Sequence, residues 1–185
     1  MPSHHTEAME TSEWPRAEPL RTSRLDLEPL RVDHAAEMTA VLDDPALFTY
    51  TGGTPPAEAD LRARYQRQAG GVSPDGREGW LNWVVRLRAT RTPIGTVQAT
   101  LSSSGSDQRA ELAWVVATRW QGAGYATEAA RVVVAWLRAS GVRSFEAHVH
   151  PSHAASAAVA NRLGLIATQP GDDGEIRWTS ATSKQ

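Results

Sequence analysis

The chain contains no cysteine. That excludes disulfides, thiolate metal sites and a cysteine nucleophile. Its one lysine is Lys184, so no Gly-Lys-Ser/Thr sequence exists and a nucleoside-triphosphate loop is excluded. Neither sign of charge predominates: the formal net charge is -2 and the isoelectric point near 6.3. Nothing in that balance calls for nucleic acid or an anionic membrane as a partner. The first twenty residues are polar, carry Pro15 and Pro19, and lack the apolar stretch of a secretory signal. No run reaches membrane-spanning length. The default reading is therefore cytoplasmic. A glycine-flanked serine turn is missing too, which argues against a serine hydrolase.

What is present is ordinary in bulk and specific in pattern. With 185 residues, 41% hydrophobic and 22% charged, the chain suits one domain with a substantial core. Residues 1–19, with His4 and His5, read as a disordered tail. Residues 20–180 read as a single domain, and 181–185 as a C-terminal tail. Alternation predicts strands at Leu25 to Leu30, Trp80 to Leu87, Ile94 to Leu101 and Ala110 to Val116, with the polar link Ser102 to Gln108 as a loop. Asp33 and Thr54 are candidate helix caps, the latter followed by Pro55 and Pro56. Ser144 to His150 is a further strand, Ser152 a candidate cap for the next helix, and Leu165 to Thr168 with Glu175 to Thr179 a closing hairpin. The order predicts an α/β chain with a mixed, mostly antiparallel sheet rather than a βαβ series.

One stretch organises the rest: Arg119-Trp120-Gln121-Gly122-Ala123-Gly124-Tyr125-Ala126-Thr127-Glu128-Ala129. It follows a strand and opens a helix with Ala126, Ala129, Ala130, Val133, Val134 and Leu137 at helical spacing. Unpaired amides and the positive helix end there suit a phosphate-bearing ligand. A dinucleotide fingerprint needs a small residue where Thr127 stands, and an acidic residue further on that is missing. A plain helix start with packing glycines is the bland alternative. The pattern Arg/Gln-x-x-Gly-x-Gly/Ala, matched by Arg119, Gly122 and Gly124, resembles the pyrophosphate loop of the GNAT acyl-CoA N-acetyltransferases. The continuation through Ala129 is similar to their ribosomal-protein N-terminal acetyltransferase branch.

The resemblance implies the GNAT fold, with a splayed parallel strand pair holding the pantetheine arm of acetyl-CoA. It places the main-chain groups near Val115 and Val116 against pantetheine and thioester, and the loop residues Arg119, Gln121, Gly122, Ala123, Gly124, Tyr125, Ala126 and Thr127 against the diphosphate. Glu111, on the strand before the loop, is the candidate general base, or else a solvent-facing residue of an alternating strand. Glu128 reads as support for the helix N-terminus instead. In the family's second motif His153 takes an asparagine position and Leu165 an aromatic one, while Ser156 is kept. Ser156 is then the candidate to hydrogen-bond the sulfur and protonate the leaving thiolate, or a first-turn hydroxyl bonding to the backbone. The tyrosine that many members use is missing from this helix.

The implied reaction is direct attack of a primary amine, from a protein N-terminus or a small molecule, on the acetyl thioester. A binding module for acyl-CoA without turnover is the alternative. His148, His150 and His153 invite a metal reading, but the chain has no cysteine to complete a site with them and no metal is expected. His150 or His153 lining the cleft and contacting cofactor or substrate is preferred, with His153 counted among the cofactor-binding residues. Trp80, Trp83, Trp114 and Trp120 are candidates for the cleft or for plain core. Asp43, Asp44, Glu58 and Asp60 would face a cationic acceptor or merely solvent. A homodimer is compatible with everything above.

Overall fold

The computed structural model describes residues 14–105, 107–171 and 173–181. Its elements run β1 (Leu20–Arg21), β2 (Leu25–Pro29), α1 (His34–Leu42), α2 (Glu58–Gln68), β3 (Gly79–Leu87), β4 (Pro93–Ser104), β5 (Asp107–Val116), α3 (Tyr125–Ala139), β6 (Ser144–Val149), α4 (Ala154–Arg162), β7 (Leu165–Pro170) and β8 (Ile176–Ser180). The eight strands form one sheet in the order β1-β2-β3-β4-β5-β6-β8-β7. Among the described residues only the β5–β6 pair is parallel, because the α3 crossover joins it; the other neighbours are antiparallel. This is the mixed α/β sheet that the sequence predicts. Among the described residues no helix is long and apolar enough to cross a membrane.

Period-two alternation decides which side of the sheet each residue serves. Leu25, Leu27, Leu81, Trp83, Val85, Val97, Ala99, Leu101, Ala110 and Leu112 bury one face against Ala129, Val133, Val134 and Leu137 of α3. The opposite face carries Val84 and, with Leu30 and Ala117, packs against Met38, Val41, Leu61 and Tyr65 of α1 and α2. Burying each large apolar side chain contributes roughly 1.5–3 kcal/mol, so docking α3 fixes the loop in front of it. The helix ends where Gly141 takes φ 97° and the Val142 amide donates back to the Leu137 carbonyl (3.0 Å). On the second face Arg86 is nearly buried. Its guanidinium donates to Glu28 (2.9 Å) and Glu37 (2.9 Å), tying β3 to β2 and α1.

Several local expectations change. The Ser102 to Gln108 segment is mostly strand: β4 continues to Ser104 and β5 starts at Asp107, paired to it, because polar residues suffice at an exposed hairpin end. Ala57, not Thr54, precedes α2, and His153, not Ser152, precedes α4. Asp33 holds the position before α1 but makes no side-chain cap bond. Residues 14–19, read as part of the tail, lie against the sheet. Trp14 is 5% exposed, with Nε1 donating to the Gly76 carbonyl (3.1 Å), and the Glu18 carbonyl accepts from Trp83 Nε1 (2.8 Å). The sequence hides this because one tryptophan among polar residues carries no periodicity. The rest of the predicted tail, with His4 and His5, lies outside the described residues.

The feature that positions the site is the parting of β5 and β6. Their pairing consists of Arg109 with Ser144, Ala110 with Phe145 and Glu111 with Glu146, and stops there. Both strands continue, β5 to Val116 and β6 to Val149, leaving a gap between them. On its other side β5 stays paired to β4 up to Val116 opposite Gly95. A Cβ at Gly95 would fall 1.9 Å from the Val115 carbonyl oxygen and 3.0 Å from Val116 Cα. Gly95→Ala must therefore move this part of β5. A loss of about 1–3 kcal/mol in unfolding free energy is expected, measured by denaturant titration. An unchanged midpoint would show that the two strands are less tightly set than described.

Candidate active site

β5 ends at Val116, and a 3₁₀ turn at Thr118–Trp120 reverses the chain. The Gln121 side-chain amide closes the turn by donating to the Val116 carbonyl (2.8 Å). Gly122 (φ 78°) and Gly124 (φ 81°) then adopt left-handed backbone that side chains rarely tolerate, and α3 starts at Tyr125. Its first internal bond runs from the Glu128 amide to the Gly124 carbonyl (3.0 Å). Among the described residues the six successive amides of Gly122 through Thr127 donate to no protein acceptor, and no side chain caps the helix. A Cβ at Gly122 would meet nothing within 4 Å, so the approach is open. Six free N–H groups at the positive end of a four-turn helix make an anion-binding corner.

The loop residues divide by which part faces outward. Gly122, Ala123 and Gly124 are exposed, and Tyr125 and Ala126 half-buried. The Thr127 side chain is buried, leaving its amide as the group on offer. Arg119 is exposed and stacks over Trp120, 5.6 Å from the ring centre, without joining the loop's hydrogen bonds.

Arg24, at the start of a strand a hundred residues away, is a participant that sequence reasoning misses. Its Nη1 donates to the Ala123 carbonyl (3.0 Å), its Nε to Glu128 (2.7 Å), and its guanidinium lies 4.5 Å from the centre of the Tyr125 ring. Glu128 also accepts from the Thr22 hydroxyl and the Arg24 amide (3.1 Å). Burial alone would raise this carboxyl, but the bonds from Thr22 and Arg24 outweigh it and hold it below the usual range. Glu128 thus clasps the N-terminal ribbon to α3, a more specific task than support of the helix end. Its charge is compensated, so it does not repel an anion at the loop.

The gap between β5 and β6 leads to this corner. The Ala117 amide donates to the Ile94 carbonyl (2.8 Å). Alternation back along the ladder turns the main-chain groups of Leu112, Trp114 and Val116 toward the gap and those of Val115 toward β4. The Gln121 bond to the Val116 carbonyl agrees with that direction. Of the two valines singled out in the sequence, Val116 turns its amide to the gap, its carbonyl being taken by Gln121, while Val115 contributes its side chain to the layer under α1 and α2.

Glu111 sits at the last paired position, where the strands part, and is exposed. Across from it Glu146 is almost buried and held by Arg177 Nε (2.9 Å), with Arg109 3.6 Å away. His148 follows on the same face. Ligand atoms of Glu111, Glu146 and His148 lie within 4.8 Å of one another, as do those of His148, Asp173 and Glu175. One acidic neighbour is local after all, Glu146 two residues before His148 on the same strand, and the others come from β5 and from the turn before β8. Glu146 is already engaged by arginine, which suits an ion-pair network as well as a cation site.

At the far wall, Ser156 Oγ lies 3.5 Å from His153 Nε2. Tyr50, from the segment between α1 and α2, stacks on the His153 ring (centroids 4.3 Å apart, planes at 17°) and leans on His150 (5.4 Å). Burial, and then the neighbouring His150, holds the His153 imidazole below the usual histidine range, so it is neutral at pH 7. The aromatic that α4 lacks is thus brought in from another element, and no local signal could reveal it. The tryptophans divide. Trp83 is core, edge-on to Trp136 at 5.9 Å; Trp80 is half-buried and donates to Glu78 (3.0 Å); Trp114 and Trp120 are partly buried against the core. Among the helix carboxylates Asp44 caps the turn Pro45–Phe48 through the Ala46 amide (2.9 Å), and Glu58 pairs with Arg62 (3.2 Å).

This geometry has relatives. The family model described as acetyltransferase (GNAT) domain matches residues 24–166. An acetyltransferase from Agrobacterium tumefaciens is 24% identical, with 91% of this chain and 97% of that chain covered and a TM-score of 0.67. A GNAT-family acetyltransferase from Bacillus anthracis is 16% identical, covering 88% and 96%, with a TM-score of 0.71. The ribosomal-protein alpha-N-acetyltransferase RimL, solved with coenzyme A, is 15% identical, covering 88% and 97%, with a TM-score of 0.71. No curated protein matches the chain. The loop, the parted strands and the family match agree, and the chain belongs to the GNAT family of acetyltransferases, which draw the acetyl group from acetyl-CoA.

Proposed function

We propose that this chain transfers acetyl from acetyl-CoA to a primary amine, either a protein N-terminal α-amine or the amine of a small molecule, in a ternary complex without a covalent enzyme intermediate. The observation that carries the reading is a run of six acceptor-free amides, Gly122 to Thr127, at the mouth of a gap that opens beside Glu111. The donor set fits the ligand: amides and a helix end suit a diphosphate, and unpaired strand backbone suits the amide-bearing pantetheine arm. Along the gap the Val116 main chain pairs with that arm, and amides of β5 face the thioester oxygen as charge develops on it. One such donor is worth about 2.7–4 kcal/mol.

Glu111 takes the proton of the attacking ammonium, directly or through one water, so that the neutral amine attacks the carbonyl carbon. The tetrahedral intermediate then sheds the second proton of its nitrogen as the C–S bond breaks, and the Ser156 hydroxyl, beside neutral His153, hydrogen-bonds the departing sulfur and relays that proton to the thiolate, so that the serine ends as it began. An α-amine, with a reference pKa near 8, asks less of the base than a side-chain ammonium near 10.4. The RimL likeness, a protein N-terminal acetyltransferase by its own description, supports the α-amine choice. The test is a turnover assay with acetyl-CoA and a panel of peptide N-termini and small amines, beside coenzyme A titration calorimetry. Acetylation of α-amine peptides above side-chain amines is expected. Tight coenzyme A binding with no amine acetylated would favour the binding module instead.

A further inference from the structure

Beside the amide corner lies a cavity of about 690 Å³, lined in part by Gly122, Gly124 and Thr127 and bearing three arginines, Arg24, Arg131 and Arg162. Arg24 is neutralised by Glu128. Arg131 and Arg162 form no salt bridge among the described residues, unlike Arg24 beside them. Arg131 is nevertheless placed: its Nη2 donates to the Arg162 carbonyl (3.1 Å), bridging α3 to the end of α4. Among the described residues the cavity therefore carries two positive charges without a carboxylate partner, next to a corner that offers amides to an anion.

Position along the helix sets the spacing. Arg131 stands four residues after Thr127, on the same face and one turn of about 5.4 Å further on. Helical side chains lean toward the N-terminus, which brings its guanidinium back toward the amide run. Coenzyme A carries a diphosphate on the 5′ carbon of its ribose and a separate phosphate on the 3′ carbon, one sugar away. A phosphate monoester bears about -1.5 to -2 charges at neutral pH, and guanidinium groups bind it through paired N–H donors.

Building on the acetyl-CoA reading above, we infer that Arg131 and Arg162 form a subsite for the ribose 3′-phosphate and make the chain selective for coenzyme A over its 3′-dephospho form. Arg162 contributes charge from the end of α4. Arg131 contributes charge from α3 and, through the Arg162 carbonyl, fixes the distance between the two helices.

The test titrates the full chain and its Arg162→Ala and Arg131→Ala/Arg162→Ala variants with coenzyme A and with 3′-dephospho-coenzyme A. The wild-type chain is expected to bind coenzyme A about 10- to 100-fold more tightly, the range for one or two charge-assisted hydrogen bonds. The double variant should bring the two affinities together by weakening coenzyme A alone. Its retained affinity for the dephospho form doubles as the check that it folds. Equal wild-type affinities, or variants that weaken both ligands alike, would overturn the subsite while leaving the diphosphate corner standing. Binding of neither ligand to the wild-type chain would overturn the acetyl-CoA reading itself and the subsite with it.

Discussion

Gly124→Glu is expected to abolish coenzyme A binding. Gly124 sits at φ 81° in the middle of the acceptor-free amides, and among the described residues a side chain there would meet only Arg24 Nη2, at 3.6 Å. A glutamate there meets two penalties. Left-handed backbone costs a non-glycine residue about 1–2 kcal/mol, and a carboxylate would occupy ground that the amides offer to a diphosphate. Gly124→Ala separates them, since it shares the strain but adds no charge. Calorimetry should therefore show a modest loss for alanine and no measurable binding for glutamate. Affinity for Gly124→Glu within a few-fold of wild type would remove the loop from the ligand's path.

The second large effect belongs to Glu111→Gln. The change is nearly isosteric on an exposed residue at the end of the β5–β6 pairing, so the fold should be indifferent to it. A positioned general base contributes about 10²–10⁴ in rate. The expected result is a kcat at pH 7 lower by at least about 10²-fold with coenzyme A affinity unchanged. The deficit should shrink as pH rises past about 8, where an α-amine substrate loses its proton unaided. Equal losses of rate and cofactor affinity, or a deficit that ignores pH, would deny Glu111 the role.

Much of this site is legible in the sequence because its core is contiguous. A strand, two glycines and an amphipathic helix in succession specify the turn and the free amides between Gly122 and Thr127. Glycine at those positions is demanded by backbone geometry, which is a local property. The parallel pairing of β5 with β6 follows from the helix between them in the same way. What the sequence conceals is whatever arrives from afar. Arg24 reaches Glu128 and the Ala123 carbonyl across about a hundred residues. Tyr50 stacks on His153 from the opposite wall, and Asp173 and Glu175 come to His148 from a turn. None belongs to a motif, since each is set by tertiary packing. The burial of Trp14 is hidden for a different reason: a ribbon that adds no strand of its own has no period to detect.

The parallel pairing of three residues has a mechanical consequence. Five strands lie on one side of that junction and three on the other, so the sheet consists of two plates joined along a short seam. Backbone left idle beyond the seam is free to accept an outside strand, and a substrate arm lying there would act as a rivet between the plates. A guest bound in this way would supply part of the host's own stiffness.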